Sequence, residues 1–211
     1  MAYPQIAAST SGFTTSNATS TSITVPSGTQ AGDLMVLLIS KDGTGTFTTP
    51  SDWTQLVNAG SSAQAVGIFY RQLSASLSNF TIAHASEMTA WILLRIPNGD
   101  IPTVSSAATG NSTTPNPPSL ASSFAAGTEI MWLAFAGWDY NRTCSAYPTT
   151  FTDNRLTSNS TATGGSGVAM ATLESTTSPQ DPSTFTISAT DTWQAYTLAI
   201  KIQPNFFMFL W

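Results

Sequence analysis

Two stretches of this chain read as the same series of strands in the same order, and that correspondence limits the fold more than any other feature. AGDLMVLLIS at 31–40 is answered by AGTEIMWLAFA at 126–136, TTPSDWTQL at 48–56 by AYPTTFTDNRL at 146–156, and AVGIFYRQL at 65–73 by GVAMATLES at 167–175. SNFTIAHASEMTAWILLRIP at 78–97 matches STFTISATDTWQAYTLAIKIQP at 183–204. The offset rises from 95 at Gly32/Gly127 to 98 at Pro50/Pro148, 102 at Val66/Val168 and 105 at Phe80/Phe185. Growth of this kind falls in loops, where insertions leave a strand framework intact.

Each copy reads as about six strands, near 22–25, 33–40, 53–58, 65–73, 79–84 and 89–96 in the first. Turn chemistry such as Asp42-Gly43 and Asn98-Gly99 separates them. Residues 34–39 and 130–135 are unbroken apolar runs and predict central strands buried on both faces. Residues 195–202 alternate, which predicts Tyr196, Leu198, Ile200 and Ile202 toward a core, Lys201 toward solvent, and a strand covered on one side only. The expected fold is all-β, an antiparallel, jelly-roll-like β-sandwich built from two diverged copies of a roughly six-strand unit. Residues 1–21 read as an N-terminal arm. Residues 22–204 read as the duplicated sandwich, with copy one at 22–98, a linker at 99–116 too extended to be a packed element, and copy two at 117–204. Both copies are expected to share one core, and 205–211 reads as an apolar C-terminal tail.

Composition supports strands over helices. Charged residues are 8% of the 211, against about 25% in ordinary soluble domains. Polarity comes from Ser and Thr, so the usual surface formers of helices, Glu, Lys and Arg, are scarce. Six Lys and Arg against eleven Asp and Glu leave a net charge of −5, which argues against nucleic acid as a partner. The single Cys144 excludes an intrachain disulfide and a multi-cysteine metal site. MAYPQIAAST has neither the charged nor the apolar region of a signal peptide, and NFFMFLW is too short to cross a bilayer as a helix. The expectation is therefore no membrane partner and synthesis in a cytoplasm without a signal peptide.

Conventional catalysis has little to draw on. His84 is the only imidazole and lies in an alternating strand whose counterpart is Ser or Ala. Cys144 lies in a Thr-Cys-Ser-Ala loop with only Arg142 nearby, and reads as a buried bystander. His84 and Cys144 together would still leave zinc two ligands short. Asp33 and Glu129 occupy matched strand starts, and Glu87 and Asp191 matched loops, which suggests turn roles. Gly164-Gly165-Ser166-Gly167 lacks the Lys and helix of a phosphate loop and reads as a hairpin. No catalytic, cofactor-binding or metal-binding residue is expected, and the chain is read as a non-enzyme.

Aromatic residues carry the remaining candidates. Trp53 and Phe151 hold matched positions and predict core packing. Trp138 and Tyr140, in GWDYNRT just past a buried strand, could stack on a cell-surface glycan. Phe206, Phe207, Met208, Phe209, Leu210 and Trp211 form six consecutive large apolar residues that must lie against their own domain or a partner, and a partner surface is favoured. Tyr3-Pro4-Gln5-Ile6 is a candidate second arm.

The series GDLMVLLIS, TPSDWTQL, FYRQL, FTI and an Ala-Trp-Ile-Leu strand, followed by a looser second set, resembles β-sandwich structural proteins of tailed bacteriophages, over residues 25–203. That resemblance implies a place on the virion, on the capsid exterior as a decoration (cement) protein bridging capsomers, or in a tail or fibre contacting the host. It implies the major capsid protein and further copies of the chain, as a homotrimer, as partners. A non-catalytic carbohydrate-binding module is the alternative outside the virion.

Overall fold

The computed structural model describes residues 2–61 and 63–204, and these form fifteen strands and no helix. In chain order they are β1 (Ala8–Phe13), β2 (Ala18–Ile23), β3 (Asp33–Asp42), β4 (Thr54–Gly60), β5 (Gln64–Gln72), β6 (Phe80–Glu87), β7 (Thr89–Pro97), β8 (Thr103–Val104), β9 (Ala108–Ser112), β10 (Ile130–Trp138), β11 (Cys144–Ala146), β12 (Asp153–Asn159), β13 (Gly167–Ser175), β14 (Thr186–Ile187) and β15 (Asp191–Lys201). All named pairings are antiparallel.

One sheet has the order β1-β7-β3-β5-β4, and a second runs β12-β13-β10-β15-β8, with β9 also paired to β15. The strands that match in sequence take the same path, since β3 and β10 are central and are flanked by β7 and β5 or by β15 and β13. Each sheet is drawn from one half of the chain, so the jelly-roll likeness extends only to the two packed layers. Their inner faces meet in a common core that includes Leu34, Val36 and Leu38 of β3 and Met131, Leu133 and Phe135 of β10.

Two further layers explain why the central strands are apolar on both faces. The β2-β6 ribbon covers the outside of the first sheet, burying Ile23 and Ile82 with Met35, Leu37 and Ile39. The β11-β14 ribbon does the same for the second sheet, burying Cys144 and Ile187 with Trp132 and Ala134. Alternate residues of β3 and β10 thus enter different cores, and no position on either strand is left for a polar side chain to face water. Trp53 stacks on Phe80 at 4.9 Å between ring centres, and Phe151 is fully buried, as their matched positions predict.

Several expectations require correction. Residues 8–13 and 18–21, read as part of an arm, are strands, and Pro4 is buried while Ile6 packs on the shared core. The linker at 99–116 carries β8 and β9, both paired to β15. Both segments lie on sheet edges, where short hydroxyl-rich strands present little apolar alternation to read. The chain that follows the linker also buries the second face of β15. Thr197 Oγ1 donates to the Pro118 carbonyl at 2.6 Å, and Trp193–Ile200 are buried without a break, so this strand is covered on both sides.

Glycines set two close approaches. Gly12 and Gly110 lie against the indoles of Trp91 and Trp193, which a Cβ would overlap. Gly137 of β10 faces the first sheet, and a Cβ there would sit 2.9 Å from Val66 Cγ2 and 3.0 Å from Ser40 Cβ. Gly137→Ala is therefore expected to force the sheets apart and cost about 1–3 kcal/mol, measured as a lower midpoint in urea.

Candidate functional site

Residues 206–211, the expected partner-binding segment, lie outside the described residues. Trp138 does not present a stacking surface. It ends β10 fully buried, its Nε1 donates to the Arg142 carbonyl at 3.0 Å, and Gly167 lies beneath its ring. The apolar run of β10 simply extends three residues further than 130–135, and the β11-β14 layer covers it. Tyr140 is 43% exposed with the Arg142 guanidinium 5.2 Å over its ring, and stands without Trp138 as a second platform.

Cys144 is buried and its Sγ contacts the Ala146 carbonyl. Burial pushes its thiol up to about 11, which removes the thiolate that nucleophilic chemistry needs. His84 joins Thr21 Oγ1 at 2.8 Å through Nε2 and the Ala85 carbonyl at 2.6 Å through Nδ1, edge-on to Phe47. Burial lowers its pKa, so the ring is held neutral as part of the packing.

Four carboxyls gather where β3 and β10 end. Asp42 closes β3, Asp139 follows β10, Glu87 closes β6 and Asp191 opens β15. Asp139 is only 5% exposed, its Oδ1 has no hydrogen-bond donor among the described residues, and its carboxyl faces that of Asp42. Burial first, then the Asp42 hydrogen bond and the charges of Asp42, Asp191 and Glu87, push the Asp139 pKa up to about 8. Asp191 is also raised by burial, against the pull of Thr192 N at 2.8 Å and Arg142 Nε at 3.2 Å. Beside them Lys41 is fully buried, with Nζ donating to the carbonyls of Asp42, Gly43 and Thr44 at 3.3, 3.1 and 2.6 Å. Its pKa is lowered by burial although Glu87 and Asp42 act to raise it.

Sequence reasoning did not single out this carboxyl pair. The available signal was positional, because Asp42 and Asp139 end the two matched apolar runs. Among the described residues no group of three His, Cys, Asp or Glu is placed to hold a metal ion. The pair lies between the sheets, the last residue of one central strand beside the residue after the other.

The opposite end holds the other matched acids. Asp33 accepts from Gln30 N at 2.8 Å, the turn role its position predicts, and from Arg95 Nε at 2.7 Å. Glu129 lines a cavity of about 540 Å³ together with Ala2, Ala126, Lys201, Ile202 and Pro204, and its buried Oε2 has no donor among the described residues. Lys201 is paired at 3.3 Å with Asp100, in the segment between β7 and β8. Both ends of the described chain, Ala2 and Pro204, meet at this cavity. No protein-family model, no curated protein and no solved structure matches the chain.

Proposed function

We propose that the chain is a non-catalytic virion protein that works by surface contact, a decoration (cement) protein stabilising a phage head by bridging capsomers from the capsid exterior. The observation that carries this reading is the placement of the first and last described residues. Ala2 and Pro204 stand on the walls of one cavity, and the apolar run 205–211 follows Pro204 in the sequence. The candidates for chemistry, His84 and Cys144, are enclosed by the layers, and much of the surface is Ser and Thr. Such a surface makes shallow contacts, and these suffice when many copies bind one lattice, because each added contact forms at high effective concentration. The partners on this reading are the major capsid protein and further copies of the chain, in a homotrimer. The resemblance of GDLMVLLIS, TPSDWTQL and the strands that follow them to phage β-sandwich proteins supplies the setting.

A tail or fibre component is the second reading, favoured by the same meeting of Ala2 and Pro204 at one cavity. Removing 205–211 is expected to leave a folded chain, with unchanged circular dichroism, that no longer co-sediments with particles. A deletion variant that still decorates heads would sink the reading. Quantitative mass spectrometry of purified particles separates head from tail, since decoration requires a copy number that follows the capsid lattice.

A further inference from the structure

We infer that Asp42 and Asp139 are the carboxylate ligands of a hard divalent cation, calcium by preference, bound between the two sheets where β3 and β10 end. The inference goes beyond the reading above and holds whether or not the chain decorates a capsid. Charge balance carries it first. Asp33, Asp52, Asp100 and Asp191 each pair with a Lys or Arg, whereas none of the ion pairs among the described residues includes Asp42, Glu87 or Asp139. The cations nearby are committed elsewhere, Arg142 to Asp191 and Lys41 to the carbonyls of Asp42, Gly43 and Thr44. Asp139 is nevertheless buried, its carboxyl faces that of Asp42, and its Oδ1 has no donor among the described residues. A carboxylate oxygen so enclosed is costly unless a proton or a cation reaches it.

A second buried oxygen points to the cation. Gln64 lies opposite Asp42 in the β3-β5 register, so the two side chains share one face of the sheet. That face is the inner one, because Ser40, two residues before Asp42, reaches the Trp138 carbonyl of the second sheet at 3.4 Å. Gln64 is fully buried, its Nε2 donates to Ser40 Oγ at 3.0 Å, and its Oε1 has no donor among the described residues. An amide oxygen takes up no proton at ordinary pH, but it is a ligand that calcium accepts alongside carboxylates, backbone carbonyls and water. Asp42 is half-buried, which leaves one side of the site open for the ion and its waters to enter. The donors are oxygens, and only two are carboxylates. They fall short of the three acidic or imidazole groups that hold a metal by themselves, and they lack the nitrogen and sulfur that zinc favours. So low a ligand charge places the expected Kd at the weak end of calcium sites, about 10⁻⁴–10⁻³ M.

The test uses the full-length chain, freed of metal with a chelator. At pH 8.5, about 10 mM calcium chloride is expected to raise Tm by about 3–10 °C. Calorimetric titration is expected to give several-fold weaker binding at pH 6.5, where a proton on Asp139 competes with the ion. The charged groups that face this carboxyl are Asp42, Glu87, Asp191 and its partner Arg142, with Lys41 beside them. Ordinary surface carboxylates are ionised at both pH values and would give no such change. Asp139→Asn and Asp42→Asn are each expected to weaken calcium binding about tenfold, and Asp181→Asn, at an exposed loop position, to leave it unchanged. A wild-type Tm indifferent to calcium would overturn the assignment. So would wild-type affinity in both Asp42→Asn and Asp139→Asn, or equal affinity at the two pH values.

Discussion

Trp138→Ala is expected to destabilise the protein by about 3–5 kcal/mol, the range for removing a large aromatic from a packed interior. The indole is fully buried in one cluster with Trp132, Phe151 and Trp193, and its loss leaves a void beside Gly167 that has no side chain to collapse into it. It also leaves the Arg142 carbonyl without the donor now 3.0 Å away. Chemical denaturation of the variant measures the loss as a lower midpoint at unchanged slope. Tyr140→Ala, two residues on, is expected to change stability by no more than about 0.5 kcal/mol, since that ring is largely in water. A pair of exposed stacking platforms would give the opposite result, with both variants near wild-type stability. An unchanged midpoint for Trp138→Ala would therefore overturn its placement in the core.

Stability is expected to fall as pH rises from 6.5 to 8, and Asp139→Asn is expected to flatten that fall. In the unfolded chain Asp139 has its ordinary value of 3.8 and has lost its proton throughout this interval. In the folded chain burial and Asp42 raise it to about 8, so the native state still holds the proton. The native state thus binds more protons, and its stability decreases with pH, by up to about 1.4 kcal/mol per unit or about 2 kcal/mol across the interval. Below 6.5 the depressed pKa of His84 acts with the opposite sign, because there the unfolded state takes up the proton. Lys41, also depressed, opposes the trend from the alkaline side. The difference between wild type and Asp139→Asn removes both contributions. The amide that this substitution introduces keeps a donor beside Asp42 at every pH, as the protonated Asp139 carboxyl does only below its own pKa. The charges that face the pair are Glu87, Lys41, Asp191 and its partner Arg142, and none of them is altered by the substitution. Urea titrations of both proteins at pH 6.5, 7.2 and 8 read the effect. Equal slopes for the two would show that folded Asp139 does not hold its proton across this interval.

Local pattern reached far into this fold. The unbroken runs 34–39 and 130–135 identified the two central strands, and the matched Trp53 and Phe151 identified core positions, because burial on both faces leaves a run of apolar side chains that is legible without knowing what covers it. Edge elements were less legible. Residues 8–13 and 108–112 are strands of Ala, Ser, Thr, Asn and Gly, ending in Phe13 in the first, and their identity comes from the backbone groups of β7 and β15 that they pair with. The same limit applied to Trp138. GWDYNRT looks alike whether its tryptophan points to solvent or to a second layer, and only the presence of β11 and β14 over β10 decides between them.

By itself, then, the sequence determined an all-β chain whose central strands are covered on both sides. Tertiary structure alone decided that each half of the chain makes its own sheet with its own covering ribbon, that Asp42 and Asp139 face each other across the sheets, and that Ala2 and Pro204 share one cavity. The reason is physical. Apolar periodicity records only whether a residue leaves water, whereas a facing carboxyl or a cavity wall depends on which distant segment arrives opposite it, and Asp42 and Asp139 lie 97 positions apart in a chain with no local signal linking them.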